Sequence, residues 1–198
     1  MQGSELEAQV RAELEQIMPI VSALTELPAR WSGRVELVTG ADFKGKKRFS
    51  CDIWIAADLA EQDDRWTTLI HEALHAVSAG YTPLEYESLR GWEEGVVEQM
   101  QRLLRPDIFS KLGVTVPAKT LLRLDDEHPY NGYIYALEQV RAILIASKVQ
   151  FYQKLLSTPL GLRPAVTLMQ ANSLPAQRRR NALDTVAAMN VILKLPPL

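Results

Sequence analysis

The chain has 198 residues, of which 47% are apolar and 23% are charged, and this composition is typical of a folded globular protein rather than a disordered segment. Its formal net charge of −2 gives no electrostatic basis for binding nucleic acid or an anionic membrane, so neither is expected as a partner. No run in the sequence approaches the roughly 18 consecutive apolar residues of a membrane span.

The N-terminal segment is polar and acidic. It lacks the basic and apolar regions of a secretory signal, and the single cysteine, Cys51, cannot form an internal disulfide, so we expect a cytoplasmic protein. Apolar residues recur at helical spacing and predict an amphipathic helix from about Glu5 to Met18. Pro19 is expected to end or kink this helix, and a second short helical piece could reach Leu27.

Two β-strands are predicted next, from Arg34 to Val38 and from Phe49 to Ala57, because both segments are rich in β-branched or aromatic residues. The basic segment from Lys44 to Arg48 between them is predicted to be a solvated hairpin loop. The second strand, around Asp52 to Ala56, could be the edge to which a peptide adds as a further strand, or a plain core strand. Cys51 is predicted to be a small buried apolar residue rather than a metal ligand.

The following helix carries the main motif, His71-Glu72-Ala73-Leu74-His75, and is predicted to begin near Asp63 and Asp64 and to stop at Gly80. Residues four apart share one face of an α-helix, so His71 and His75 can present two imidazoles to one metal ion with Glu72 beside it. We expect this pair on the side away from the helix's apolar stripe. A catalytic zinc ion needs a third protein ligand and one open position.

A second helix with several carboxylates follows, from about Leu89 to Leu104, and is expected to stop at Pro106. Glu94, separated from His75 by 18 residues, is the preferred third ligand. Glu98 lies one turn further on the same face and is either the reserve ligand or an acceptor that orients a ligand histidine. Glu93 is predicted to be solvated.

Proline and glycine residues interrupt the short apolar segments from residue 106 to 129, which predicts irregular or short helical structure there. A long helix is predicted from Pro129 to about Leu156, and a last helix begins near Ser173 and continues through Leu183 to Leu193. The basic run from Arg178 to Arg180 could pair with acids, bind a partner or mark a cleavage site.

The segment from Leu69 to Glu98, with its two histidines, the 18-residue gap and Trp92-Glu93-Glu94-Gly95, resembles the gluzincin metallopeptidases and is similar in spacing to the aminopeptidase N type. The resemblance implies that Zn2+ is bound by His71, His75 and Glu94, with Glu72 as the general base. It also implies a zincin-like core within an α+β, mainly helical fold.

Peptidases of this class also need a donor for the developing oxyanion. Four residues near the start of the long helix are candidates, with Tyr133 and Tyr130 preferred over His128 and Tyr135. The chain departs from the aminopeptidase pattern because Tyr130 lies two residues before Gly132 rather than three, and because the Gly-x-Met-Glu-Asn motif is missing. Aminopeptidase activity is therefore not implied.

These observations predict a single domain, residues 1–198, with a catalytic core at about 31–157 and helical extensions at 1–28 and 160–198. The leading hypothesis is a zinc endopeptidase that acts on a peptide or protein substrate. One alternative is a regulatory or toxin-like zincin with a single protein target. Another is a zinc-stabilised, non-catalytic binding module that uses the Arg178 cluster or the strand edge. The oligomeric state cannot be predicted from these patterns.

Overall fold

The computed structural model describes residues 3–197; residues 1, 2 and 198 of the predicted domain lie outside the described part. The described chain is mainly helical with one three-stranded sheet, which confirms the coarse α+β class. It forms two compact units, one of Met1–Val77 with Gln101–Leu124 and one of Ser78–Met100 with Asp125–Leu198. The predicted single zincin-like domain stays a prediction.

The first unit begins with helix α1, which spans Gly3–Thr25 and contains Pro19. Of the two predicted effects of Pro19, an end of the helix is wrong, because α1 continues through it to Thr25. Ile17 and Val21, on either side of the proline, are both fully buried. Because packing of an apolar face contributes most of a helix's stability, this burial offsets the hydrogen bond that proline cannot make.

The sheet consists of β1 (Val35–Val38), β2 (Gly45–Lys47) and β3 (Ile53–Ala56), in the spatial order β1, β3, β2. Strand β3 is central and runs parallel to β1 and antiparallel to β2. The second predicted strand is therefore shorter than expected, because the chain turns between Arg48 and Asp52 with Cys51 at a φ of 65°. As the central strand, β3 cannot be the edge to which a peptide adds.

Strand β2 corrects the prediction of a loop from Lys44 to Arg48. Its sequence, Gly-Lys-Lys, carries no alternation of apolar residues, so no local pattern marks it as a strand. It forms because Ile53 and Ile55 of β3 are completely buried and the main chain of β3 requires a hydrogen-bonding partner on this side.

Helix α2 spans Arg65–Val77 and bears the histidine motif. Arg65 at its start is held to Glu13 of α1, with 2.8 Å between Nη2 and Oε1. Every residue from Leu69 to Val77 is buried, so the side of the helix away from its apolar stripe is buried as well. Two polar imidazoles in such surroundings need polar partners or an ion.

Helix α3 spans Pro83–Leu112, longer at both ends than predicted. Its start is a capping box. The Thr82 amide and hydroxyl donate to Glu85, and the Glu85 amide donates to the Thr82 hydroxyl, while Pro83 occupies the first helical position. The predicted start near Leu89 coincides with a distortion, since Leu89 has φ −131° and ψ 27°. Pro106 lies inside the helix and does not end it, and α4 (Ala118–Asp126) follows.

The remaining helices are α5 (Asn131–Leu144), α6 (Lys148–Leu156), α7 (Arg163–Asn172) and α8 (Ala176–Ile192), with a 3-10 turn at Leu160–Leu162. The single long helix predicted from Pro129 to Leu156 is wrong, because Ile145 adopts a left-handed conformation and separates α5 from α6. Ser147, a residue type favoured before a first helical turn, was the available signal. None of the described helices combines the length and apolarity needed to cross a bilayer.

Candidate metal centre

His71 and His75 lie one turn apart on α2, and their Nε2 atoms are 3.1 Å from each other. Zinc–nitrogen bonds of about 2.0–2.1 Å in a tetrahedral site separate two ligand nitrogens by roughly 3.3 Å, so this spacing fits two ligands of one ion. A direct hydrogen bond between one protonated and one unprotonated nitrogen fits the same distance. Only 9% of His71 and 6% of His75 is exposed, so each imidazole is largely removed from water.

Glu94 completes a group of three buried residues whose ligand atoms all lie within 4.8 Å of one another. These are the three ligands predicted from the sequence, and they lie close enough to hold a metal ion. Two imidazoles and a carboxylate suit zinc and other transition metals alike. Each of the three residues offers one ligand atom to this group.

Glu72 lies between the two histidines in sequence and is only 4% exposed. The main chain of β2 passes directly against it. A Cβ atom at Gly45 would lie 2.8 Å from Glu72 Oε1 and 2.6 Å from Thr68 Cγ2, closer than side chains tolerate. Glycine at position 45 therefore allows the strand to approach the predicted general base, a role that its place in a lysine-rich segment did not reveal.

Tyr86 is a further residue of the site that the sequence did not identify. Its hydroxyl donates a hydrogen bond to Glu94 Oε1, and the guanidinium of Arg90 lies 5.7 Å from its ring centre. Burial and the neighbouring Glu94 carboxylate raise the pKa of Tyr86 above its ordinary value, so the hydroxyl stays protonated and can donate. The sequence could have indicated Tyr86 only through its position, two helical turns before Glu94.

Glu98, the predicted reserve ligand or supporting acceptor, lies 3.4 Å through Oε2 from Nε2 of His128. The amide of Tyr130 donates to Nδ1 of His128 at 3.3 Å, so both ring nitrogens of His128 face polar partners. The structure thus places one of the candidate oxyanion donors, His128, on the carboxylate of Glu98. It leaves the catalytic roles of both residues as predictions.

Tyr133 packs where α5 crosses two glycines of α3. A Cβ at Gly91 would lie 2.7 Å from the Tyr133 ring, and one at Gly95 would lie 2.9 Å from Tyr133 Cβ. The Tyr133 hydroxyl donates to the carbonyl of Leu195 at 2.6 Å. The glycine that follows Glu94 in the motif is therefore explained by helix packing, and the hydroxyl of this preferred oxyanion donor already has an acceptor.

The other predicted residues are less closely involved. Tyr130 stacks on Tyr133 with 5.8 Å between ring centres, and Tyr135 is 61% exposed. Cys51 is partly exposed in the turn before β3, not buried, and does not belong to the three-residue group. The side chains from Arg178 to Arg180 are exposed in the first turns of α8, and Arg179 Nε donates to the carbonyl of Leu174.

The prediction that Glu93 is solvated is wrong. Its side chain is completely buried and forms an ion pair with the equally buried Arg163, with 2.7 Å between Nη1 and Oε2. Arg163 also donates to the carbonyls of Trp92 and Thr158 and to the hydroxyl of Ser78. Burial lowers the pKa of Arg163, against the opposing effect of Glu93, but a guanidinium remains charged at neutral pH. No local pattern could have paired residues 70 positions apart in the sequence.

No protein-family model, curated protein or solved structure matches the chain. Relatives therefore supply neither a fold name nor an activity. The function has to be inferred from the chain's own residues.

Proposed function

We propose that this protein is a zinc-dependent peptidase of the gluzincin type that hydrolyses peptide bonds in a protein or peptide substrate. The observation that carries the proposal is the buried group of His71, His75 and Glu94, whose ligand atoms lie close enough to hold a metal ion. Glu72, the proposed general base, lies on the same helix as the two histidines. The resemblance of the segment from Leu69 to Glu98 to gluzincins supports the same class.

His71, His75 and Glu94 would hold Zn2+ through two imidazole nitrogens and a carboxylate oxygen. When bound, zinc lowers the pKa of water toward 7 and polarises a substrate carbonyl. With three protein donors, a bound zinc ion would keep a fourth position for water or substrate. This arrangement favours catalysis over a purely structural role.

Glu72 is the proposed general base. It would take a proton from the attacking water and deliver it to the amine that leaves when the peptide bond breaks. Its carboxylate is buried beneath the main chain of Gly45, which limits its motion and its exposure to bulk water. The oxyanion donor is open among Tyr130, Tyr133, His128 and Tyr135, and the Tyr133 hydroxyl would have to leave its bond to Leu195 to serve.

The edge of β2 is the proposed position for an extended substrate, in place of the β3 edge expected from the sequence. The amide of Ala56 on β3 donates to the carbonyl of Lys44, so main-chain groups at alternating positions of β2 face β3. Those of Gly45 face the opposite side. A peptide that adds there as a strand would lie next to the residue that contacts Glu72.

The test compares the wild-type protein with Glu72→Gln after both have been loaded with zinc. Wild type should bind one zinc ion per chain and cleave unfolded casein or a mixture of quenched fluorescent peptides. Glu72→Gln should keep the zinc and lose at least ~100-fold in hydrolysis, because only the proton transfer is removed. Glu87→Gln, an exposed glutamate on α3, is the matched control and should behave like wild type. Full activity of the Glu72→Gln protein would refute the mechanism.

A narrower form of the proposal is a peptidase with one specific protein target. The low exposure of His71, Glu72 and His75 favours it, since a buried site restricts which substrates can reach the reacting groups. Such an enzyme would leave casein intact and cut one protein at a single bond. Zinc binding without hydrolysis of any substrate would instead favour the zinc-stabilised binding module.

A further inference from the structure

The ion pair of Arg163 and Glu93 lies completely buried within the second unit. Both side chains are 0% exposed, and their closest atoms are 2.7 Å apart. The other Arg163 bonds are also short, at 2.7 Å to the Trp92 carbonyl, 2.9 Å to the Ser78 hydroxyl and 3.1 Å to the Thr158 carbonyl. One side chain thus links three separate segments of the chain.

The positions of these partners connect the network to the metal ligands. Trp92 and Glu93 immediately precede Glu94 on α3, and Ser78 follows His75 by three residues. We propose that Arg163 is a positioning residue for the metal site, which fixes the turn of α3 that carries Glu94 and the segment that follows His75.

Helical geometry explains how Arg163 could orient the carboxylate of Glu94 through Glu93. Successive residues on an α-helix point about 100° apart, so the direction of Glu93 sets the direction of Glu94. Glu93 is held in place by Arg163 and also accepts a hydrogen bond from the Ser78 hydroxyl at 3.2 Å. The bond from Arg163 to the Trp92 carbonyl pins the main chain of the same turn.

Energetics argue that this network does more than hold the fold together. Taking two charges out of water is costly, and apolar residues of similar volume often stabilise a protein as well as a buried ion pair does. What an apolar pair cannot provide is the direction imposed by a guanidinium that donates to four acceptors. A network of this kind is therefore expected where geometry matters, and Glu94 is the adjacent residue that needs it.

This inference rests on the metal binding of the proposed function and does not depend on peptide hydrolysis. The central variant replaces the pair by Glu93→Met with Arg163→Met, which removes both charges and leaves no unpaired ion. It should still fold cooperatively with a Tm close to that of wild type, because removing two buried charges offsets the loss of the donor to the Ser78 hydroxyl and to two carbonyls. Its zinc Kd, measured by competition with a chromogenic chelator, should be roughly 10–100-fold weaker, the usual effect of losing support for a ligand.

Two further variants separate positioning from general packing. Arg163→Lys keeps the charge but cannot reach all four acceptors, so its zinc affinity should lie between those of wild type and the double variant. Ser78→Ala removes one hydroxyl from the network and should weaken zinc binding by a smaller factor. In the folded variants, the visible absorption of bound Co2+ should change in shape and intensity, since it reports the geometry of the ligands.

The matched control is Glu138→Met with Arg141→Met, which removes another ion pair of the same unit, with 2.8 Å between its charged atoms, on α5 rather than α3. It should leave the zinc Kd unchanged. The inference would be overturned if the double variant and Ser78→Ala both fold and keep the zinc affinity and Co2+ spectrum of wild type. It would also be overturned if the double variant cannot fold, because the ion pair would then serve the fold itself. A wild-type chain that binds no zinc would remove the proposed function together with this inference.

Discussion

Buried polar side chains of helices α2 and α3 carry the metal binding and the proton transfer proposed for this protein. On α2 these are His71, Glu72 and His75, and on α3 they are Glu93 and Glu94. Each needs a partner, because a polar group left without one in such surroundings costs several kcal/mol. Arg163 meets this need for Glu93, Tyr86 donates to Glu94, and the two histidines face each other through Nε2 atoms 3.1 Å apart.

Tyr86 is expected to support Glu94 through the hydrogen bond from its hydroxyl. Tyr86→Phe removes only that hydroxyl, so we predict that zinc binding weakens by about tenfold, since outer hydrogen bonds orient ligand carboxylates. Chelator competition measures the change. Tyr135→Phe, at an exposed tyrosine of α5, is the control and should bind zinc as wild type does. Equal affinities in the two variants would show that Tyr86 does not orient the ligand.

The role of Gly45 depends on strand β2, which was not predicted from the sequence. In Gly45→Ala the added methyl group would overlap Thr68 and Glu72, so β2 or the Glu72 side chain must shift by several tenths of an ångström. We predict that zinc binding is retained and that hydrolysis falls at least ~10-fold, because a displaced base transfers protons poorly. Gly132→Ala, where a Cβ meets no atom within 4 Å, is the control, and equal loss of activity in both variants would contradict the prediction.

At the scale of elements, the helices were predicted better than their ends. The apolar periodicity of α1 and α2 was sufficient to locate them, and a helix with several carboxylates was expected where α3 lies. Pro19 was expected to end or kink α1 and Pro106 to end α3, yet both helices continue through them, because burial on both sides is a tertiary effect that a local pattern does not contain. Strand β2 was missed for a related reason, since its pairing with β3 is its main determinant.

The start of α3 offers a test of local helix signals. Thr82→Ala should remove the capping box and lower the free energy of unfolding by about 1 kcal/mol, as measured by urea denaturation. Hydrogen bonds from the Thr82 amide and hydroxyl lower the pKa of Glu85 below its ordinary value of 4.5. The stabilisation from this carboxylate is therefore complete above that ordinary pKa and is lost as the pH falls through the lower, folded value.

The pH dependence of Thr82→Ala follows from the same hydrogen bonds. The difference in stability between wild type and Thr82→Ala should be largest at neutral pH and should shrink in acid. Thr82→Ala would keep the amide that donates to Glu85, so a difference that stays constant down to pH 3 would show that the hydroxyl bond to the ionised Glu85 contributes nothing to this helix start.

At the scale of the whole molecule, sequence reasoning found the part of the site that is local and missed the part that is not. Two histidines four residues apart and a carboxylate one helix later can be recognised by spacing alone. The partnership of Glu93 with Arg163, and the packing of Tyr133 against Gly91 and Gly95, join segments far apart in sequence and needed the folded chain. For the same reason Glu93 was taken for a solvated residue.

A catalytic zinc centre is tested most simply by determining the ligands of zinc in the wild-type protein, by X-ray absorption spectroscopy or a crystal structure of the zinc-loaded chain. We predict two imidazole nitrogens from His71 and His75, one carboxylate oxygen from Glu94, and a water molecule as the fourth ligand. A fourth ligand from the protein itself, or a site without the two histidines, would contradict a catalytic zinc centre.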